Sequence, residues 1–406
     1  MAHSIERLEQ RLELQDYKLS ALLDVTQGIN GRATEEELLD KYRTSLAEHL
    51  GICRLVLYAF DGNWRCLLVN GVSGEVPEIQ DEAFFEQEGE VFLSSKTGAE
   101  QFDVVIPVLH DGKPLAYLLA GDTQEGQGVS PVVKHLNFIQ TLTNVLVVAL
   151  QNQRLERARA NQEATRRELE LAATMQAMLV PTEWPEDRDI DVAAFYKPHL
   201  EVGGDYYDVF AVDEDRMVFC MADVSGKGIA AAFLMSNFQA NLRASFQYEP
   251  DDLRSVVERL NERVSENAKG EKYITVFAAV YHRRKREIQY VNCGHNPPVI
   301  MLADGRTQQL ELGSVGLGMF REIPSLETGT VRLDRESTLV CFTDGLVEQE
   351  NEEGIPYGMQ RMEEILRERR GMPVKDVQTA LIDSVKDFKG EEPSFDDTAL
   401  MVVRFH

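Results

Sequence analysis

The chain is poor in cysteine, short of positive charge, and contains no apolar run long enough to span a bilayer. Its five cysteines (Cys53, Cys66, Cys220, Cys293 and Cys341) are odd in number and include no CxxC pair, which argues against a disulfide scaffold or a thiolate zinc site. Four lie within apolar, strand-like runs and Cys293 closes one, so buried reduced thiols are expected. The start, Met1-Ala2-His3-Ser4-Ile5-Glu6, lacks the basic-then-apolar pattern of a leader, and the sequence reads as soluble and cytoplasmic. Acidic residues outnumber basic ones by 68 to 42, for a formal net charge of -26. That balance disfavours nucleic acid and anionic membranes as partners and is compatible with a site that attracts cations. No internal repeat or low-complexity tract stands out.

What is present organises itself along the chain. At 406 residues and 43% hydrophobic content, two or three globular domains are expected. Residues 1–30 read as a helix, with Ile5, Leu8, Leu12, Gln15, Leu19, Leu22, Thr26 and Ile29 at heptad spacing. Residues 31–150 read as an α+β domain. It has a helix over about 34–49, a strand at 53–60, the turn Asp61-Gly62-Asn63 and a strand at 64–69. A hairpin follows over 102–121, turning at His110-Asp111-Gly112-Lys113, and then a helix over about 130–150. Residues 151–184 form a helical linker: from Leu150 to Leu179 no Gly or Pro interrupts the chain. A heptad runs through Leu155, Ala158, Gln162, Thr165, Leu169, Ala172, Gln176 and Leu179. Five of those eight seam positions are Gln, Thr or Ala, which suits weak pairing of two helices near a balance between registers. Residues 185–406 read as many antiparallel strands with two helical pairs, a β-sandwich flanked by helices.

The chemistry is carried by four short acidic signatures: Gly203-Gly204-Asp205-Tyr206-Tyr207-Asp208, Ala222-Asp223-Val224-Ser225-Gly226, Thr343-Asp344-Gly345 and Asp396-Asp397-Thr398. The apolar run 217–222 ends at Asp223, the run 338–343 ends at Asp344, and Asp396 and Asp397 precede the run 398–403. Any one of these is an ordinary turn. Together, a carboxylate at each buried strand end is costly unless a cation meets it, and strands that are neighbours bring such ends to one place. A donor set of oxygens without His or Cys favours Mg²⁺ or Mn²⁺ over zinc. Two such ions about 4 Å apart activate water for direct attack on a phosphoester. No Cys-x5-Arg nucleophile loop is present.

These stretches, together with 169–181, Asn292-Cys293-Gly294-His295-Asn296-Pro297-Pro298 and Phe342-Thr343-Asp344-Gly345-Leu346-Val347-Glu348, resemble the PPM (protein phosphatase 2C-like) serine/threonine phosphatases of the bacterial SpoIIE/RsbU branch, over about residues 170–406. The resemblance implies that Asp223 bridges two divalent cations, Mn²⁺ or Mg²⁺, and that the Val224 carbonyl completes one coordination shell. It implies that Asp344 and Asp396 hold the other ion, with Asp205 acting largely through water, so that Asp205 and Asp223 are the catalytic pair. Asp208 and Asp397 are carried over as metal-contacting or supporting residues. Eukaryotic relatives grip phosphate with an arginine near the first acidic motif; here that stretch reads Tyr196-Lys197-Pro198-His199-Leu200-Glu201, leaving Lys197 or Lys227. His295 is expected in a turn packed beside the site rather than as a general acid. Residues from about 15 to 150 resemble a GAF sensory domain by element order, with no His or Cys pattern for haem, metal or bilin, so its ligand is open.

The implied function is a metal-dependent phosphatase acting on a phosphoserine or phosphothreonine protein, typically an anti-sigma antagonist of the STAS type. The sensor domain would govern it through the helical linker of a homodimer. A catalytically inactive phosphatase-like scaffold and a hydrolase of small phosphorylated metabolites are the alternatives.

Overall fold

The structure, a computed structural model, describes residues 2–31, 33–72, 76, 92–93, 102–110, 112–121, 130–185, 187–333 and 335–406. The chain divides into two compact units, Met1–Glu163 and Ala164–His406.

In the first unit, α1 (Ala2–Asn30) and α2 (Glu35–Leu50) precede β1 (Arg54–Asp61), β2 (Asn63–Asn70), β3 (Phe92–Leu93), β4 (Val104–His110) and β5 (Lys113–Gly121). Then come α3 (Pro131–Lys134) and α4 (Leu136–Ala177), whose last turns belong to the second unit. The start of α2 is fixed by a capping box: Thr34 Oγ1 accepts from the Glu37 amide, and Glu37 Oε2 accepts from the Thr34 amide at 2.8 Å. The sheet is antiparallel in the order β2-β1-β5-β4-β3. One face packs Leu55, Leu57, Ile106 and Leu118 under Leu38, Tyr42 and Leu46 of α2 and Ile139, Leu142 and Leu146 of α4. Both expected hairpins are present; Asp111, in the second turn, lies outside the described residues.

α1 forms over the expected residues. Its heptad positions Ile5, Leu8, Leu12 and Leu19 are exposed, while Leu22 and Ile29 pack partly buried against the core beside the buried Ala21 and Val25, with Leu14 and Tyr17. α1 approaches α2 closely at Gly28, where a Cβ would stand 3.0 Å from a Leu38 methyl. The helix expected to end near Leu150 runs on as one 42-residue element, since nothing in that stretch breaks it.

The second unit continues with β6 (Ile190–Lys197), β7 (Tyr206–Ala211), β8 (Arg216–Val224), α5 (Ile229–Tyr248), α6 (Leu253–Ala268), β9 (Ile274–His282) and β10 (Glu287–Cys293). It closes with β11 (Val299–Met301), β12 (Thr307–Gln309), β13 (Gly313–Ser314), β14 (Gly329–Arg332), β15 (Ser337–Phe342), α7 (Asp344–Val347), α8 (Gly358–Glu368), α9 (Val374–Lys389) and β16 (Thr398–Phe405). One sheet runs β13-β10-β9-β8-β7, with β14 also on β10; the other runs β12-β11-β15-β16-β6.

Alternation along the strands builds four layers. In β8, Met217, Phe219 and Met221 face the other sheet, joining Phe277, Leu339, Met401 and Phe405. Val218, Cys220 and Ala222 face α5 and α6, joining Phe238, Leu242 and Leu260. The second sheet repeats this, with Val340, Phe342, Leu400 and Val402 packed under Met362, Leu366 and Leu381. Burial on both faces is why these strands read as unbroken apolar runs. Cys220, Cys293 and Cys341 are buried as expected, whereas Cys66 is exposed and Cys53 only half-buried. Among the described residues no helix is long and apolar enough to cross a membrane.

Candidate metal centre

The two sheets present their acidic strand ends to each other. Tyr206 pairs with Ala222, so Asp205, just before β7, and Asp223, near the end of β8, sit side by side at one edge of the first sheet. In the second sheet Phe342 pairs with Leu400, which places Asp344 just past β15 beside Asp396 and Asp397 just before β16. Hydrogen bonds join the two pairs across the sandwich. The Thr343 hydroxyl donates to Asp205 Oδ2 at 2.7 Å and accepts from the Ala399 amide at 2.9 Å. Asp397 accepts from the Gly204 amide at 2.6 Å and the His199 amide at 2.7 Å, and so holds the loop before Asp205. Glycine is required there: a Cβ on Gly203 would overlap Tyr196 Oη and Asp397, and one on Gly204 would stand 2.8 Å from the Val224 carbonyl oxygen.

The electrostatics follow from this crowding. Burial and the Asp223 charge push Asp205, itself 1% exposed, well above the usual carboxylate range, with the Thr343 hydrogen bond opposing. Burial, then the charges of Asp344, Asp396 and Asp397, push Asp223 up to about 7; a hydrogen bond with Asp205 opposes this. Asp344 is raised by burial and by Asp396. The sequence-predicted residues Asp205, Asp223, Asp344 and Asp396 are therefore brought into one electrostatic neighbourhood. The side chains are held by protein donors rather than gathered round a point: among the described residues no three His, Cys, Asp or Glu converge closely enough to enclose an ion. What fits a hard cation is the donor chemistry, an all-oxygen set of mutually repelling carboxylates whose ionised form only added positive charge relieves. The buried Tyr196 hydroxyl, without a hydrogen-bond partner, lies among the same groups.

Asp208 is a correction. It shares the helix-facing side of β7 with Tyr206, and its carboxylate, fully buried, accepts a bidentate pair from Arg243 of α5 at 2.7 and 2.8 Å and a hydrogen bond from the Tyr206 hydroxyl. It braces α5 against the sheet and takes no part in the acidic cluster. Asp397 has the supporting role just described. His295 packs beside the site: Nδ1 lies 2.9 Å from Thr275 Oγ1, its amide donates to Asn292 Oδ1 at 2.8 Å, and Thr275 is the strand partner of Asp223. Burial pulls the imidazole down to about 4, so it stays neutral and positions rather than protonates. Two contacts escaped sequence reasoning, Thr343 on Asp205 and Gln176 on Gly203. The Gln176 amide, buried at the end of α4, donates to the Gly203 carbonyl at 2.6 Å and its carbonyl accepts from the Gly203 amide at 3.1 Å.

Replacing Asp208 by Asn strands Arg243, whose side chain is 43% exposed, so we expect a loss of about 2 kcal/mol rather than the larger cost of a fully buried charge. Urea unfolding measures that loss, and Mn²⁺ affinity should be unchanged. For Asp223 the folded state holds a proton that the unfolded chain releases, so metal-free stability is lost as pH rises from about 4 to about 7. Metal-free Asp223→Asn should therefore melt above wild type at pH 7, and the gap should vanish on acidification to about pH 4; thermal melts across that window check it.

Residues 213–406 match the family model described as Stage II sporulation protein E (SpoIIE); Asp223, Asp344 and Asp396 fall within the match. Phosphoserine phosphatase RsbU of Bacillus subtilis (strain 168) is 29% identical over 257 residues, covering 61% of this chain and 72% of RsbU. Phosphoserine phosphatase RsbP of the same organism is 24% identical over 245 residues, covering 59% of this chain and 58% of RsbP. Among solved structures, the SiaA-PP2C domain of Pseudomonas aeruginosa shares the fold at a TM-score of 0.53 and 19% identity, covering 61% of this chain and 99% of that domain. The RsbU and RsbW domains of a Mycobacterium tuberculosis protein share it at 0.50 and 23%, covering 56% and 63%. The chain thus spans less than two thirds of RsbP and of the mycobacterial structure. With Asp223, Asp344 and Asp396 inside the matched segment and Asp205 just before it, the C-terminal part of this chain is a SpoIIE-family phosphatase domain of the PPM type.

Proposed function

We propose that the protein is a metal-dependent serine/threonine phosphatase that hydrolyses a phosphoserine or phosphothreonine on a partner protein. The observation that carries this reading is the meeting of Asp205, Asp223, Asp344 and Asp396 from two sheets at one end of a SpoIIE-family domain, where burial and neighbouring carboxylates raise the pKa values of Asp205, Asp223 and Asp344. Mn²⁺ or Mg²⁺ bound there supplies Lewis-acid activation of water and neutralises phosphoryl charge. Asp223 would be the carboxylate common to two such ions; Asp344 and Asp396 would hold one of them, and the Val224 carbonyl would contribute an uncharged oxygen. Asp205 is aimed by Thr343, the loop before it by Asp397, and the strand beside Asp223 by Thr275 and His295. Each removes freedom from a group that must be in place before the phosphoester arrives.

The names of RsbU and RsbP support phosphoserine as the group hydrolysed, and the partner class we favour is an anti-sigma antagonist of the STAS type. For the first unit we propose a GAF-like sensor acting through α4 in a cytoplasmic homodimer, with a ligand of unassigned chemistry. Gln176 supports the route of control: the last turn of α4 grips the main chain of Gly203 with both ends of one amide, two residues before Asp205. A shift of that helix would move the metal-site loop.

The test is phosphate release in Mn²⁺ from phosphoserine and phosphothreonine peptides and from small phosphorylated metabolites. Wild type should prefer the peptides, and Asp223→Asn should lose on the order of a hundredfold or more in rate. Equal release by both proteins would overturn the role given to Asp223, and a preference for metabolites would overturn the substrate class.

A further inference from the structure

The cluster of carboxylates already has one positive charge in it. Lys227 lies between Gly226 and Gly228, whose φ angles of 83° and 75° fix a turn that side-chain-bearing residues adopt only with strain. The turn directs the lysine back across the site. Its ammonium stands 3.0 Å from Asp396 Oδ2 and donates a hydrogen bond to the neighbouring Phe395 carbonyl. Lys272, the other lysine at this turn, is occupied differently: it donates to the Ser225 carbonyl at 2.8 Å. Asp344 also feels the Lys227 charge, which partly offsets the push from Asp396.

We infer that Lys227 is a tethered cation that occupies Asp396 in the metal-free protein and must release it when a divalent ion binds. The inference rests on the metal-site reading proposed above. Its consequence is a competition built into the fold. The lysine pairs with Asp396 and holds the strand ends together without metal, and the same attraction lowers the affinity of the metal position to which Asp396 contributes. The pair is partly open to water, at 38% and 30% exposure, so the competition is moderate and leaves the lysine free to move.

Calorimetric titration of Mn²⁺ into the metal-stripped full chain tests this, with wild type, Lys227→Met, Lys227→Arg and Asp396→Asn side by side. Removing the tethered charge should tighten Mn²⁺ binding about three- to tenfold, and arginine should keep the wild-type affinity within about twofold. Asp396→Asn should weaken binding. As a second readout, the rise in melting temperature on adding Mn²⁺ should be larger for Lys227→Met than for wild type, because its metal-free form starts lower. Equal or weaker binding by Lys227→Met, with wild type binding normally, would overturn the role of Lys227 and leave the metal site standing. No Mn²⁺ uptake by any of the folded proteins would overturn the metal site and this inference with it.

Discussion

Carboxylates repel one another, and a protein that buries several at one end of a sandwich is working against its own stability unless a positive charge is supplied. That constraint organises the second unit. Both sheets are apolar on both faces, which drives them into a four-layer stack and leaves the strand ends as the place where polar groups meet. Asp205 and Asp223 come from one sheet and Asp344 and Asp396 from the other, so their repulsion acts across the sandwich as well as along each edge. Burial and that repulsion together raise the pKa of Asp223, and a hard divalent cation, as proposed, would relieve both.

The surrounding residues are arranged to bear the repulsion. Thr343 ties Asp205 to the opposite sheet, Asp397 accepts hydrogen bonds from two loop amides, and His295 contributes no charge because burial keeps it neutral. Gly203 and Gly204 let the loop pass where any side chain would strike Asp397, Tyr196 or the Val224 carbonyl. Gln176 adds an attachment outside this frame, on a helix that begins in the first unit.

Much of this was legible in the sequence, and the limits are physical. Asp223, Asp344 and Asp396 stood out because each interrupts a strand that is apolar on both faces. Asp208 was harder. It shares a face with Tyr206, but its partner Arg243 is 35 residues away on a helix, and no local pattern ties the two. Thr343 and Gln176 were silent for the same reason, since their contacts span 138 and 27 residues. On α1 the heptad positions and the buried Ala21 and Val25 lie on adjacent stripes, and periodicity alone does not say which of them meets the core. Strands as short as Gly313–Ser314 and Gly329–Arg332 carry too few residues for alternation to show.

The central claim is that the acidic strand ends of both sheets hold divalent ions together. Crystals of the full chain grown with Mn²⁺, with diffraction collected at the manganese absorption edge, test it most directly. The account predicts anomalous peaks bonded by Asp223, Asp344 and Asp396, with Asp396 released from Lys227 and Asp208 still paired with Arg243. Manganese absent from that end of the sandwich, or bound without Asp223, would contradict it.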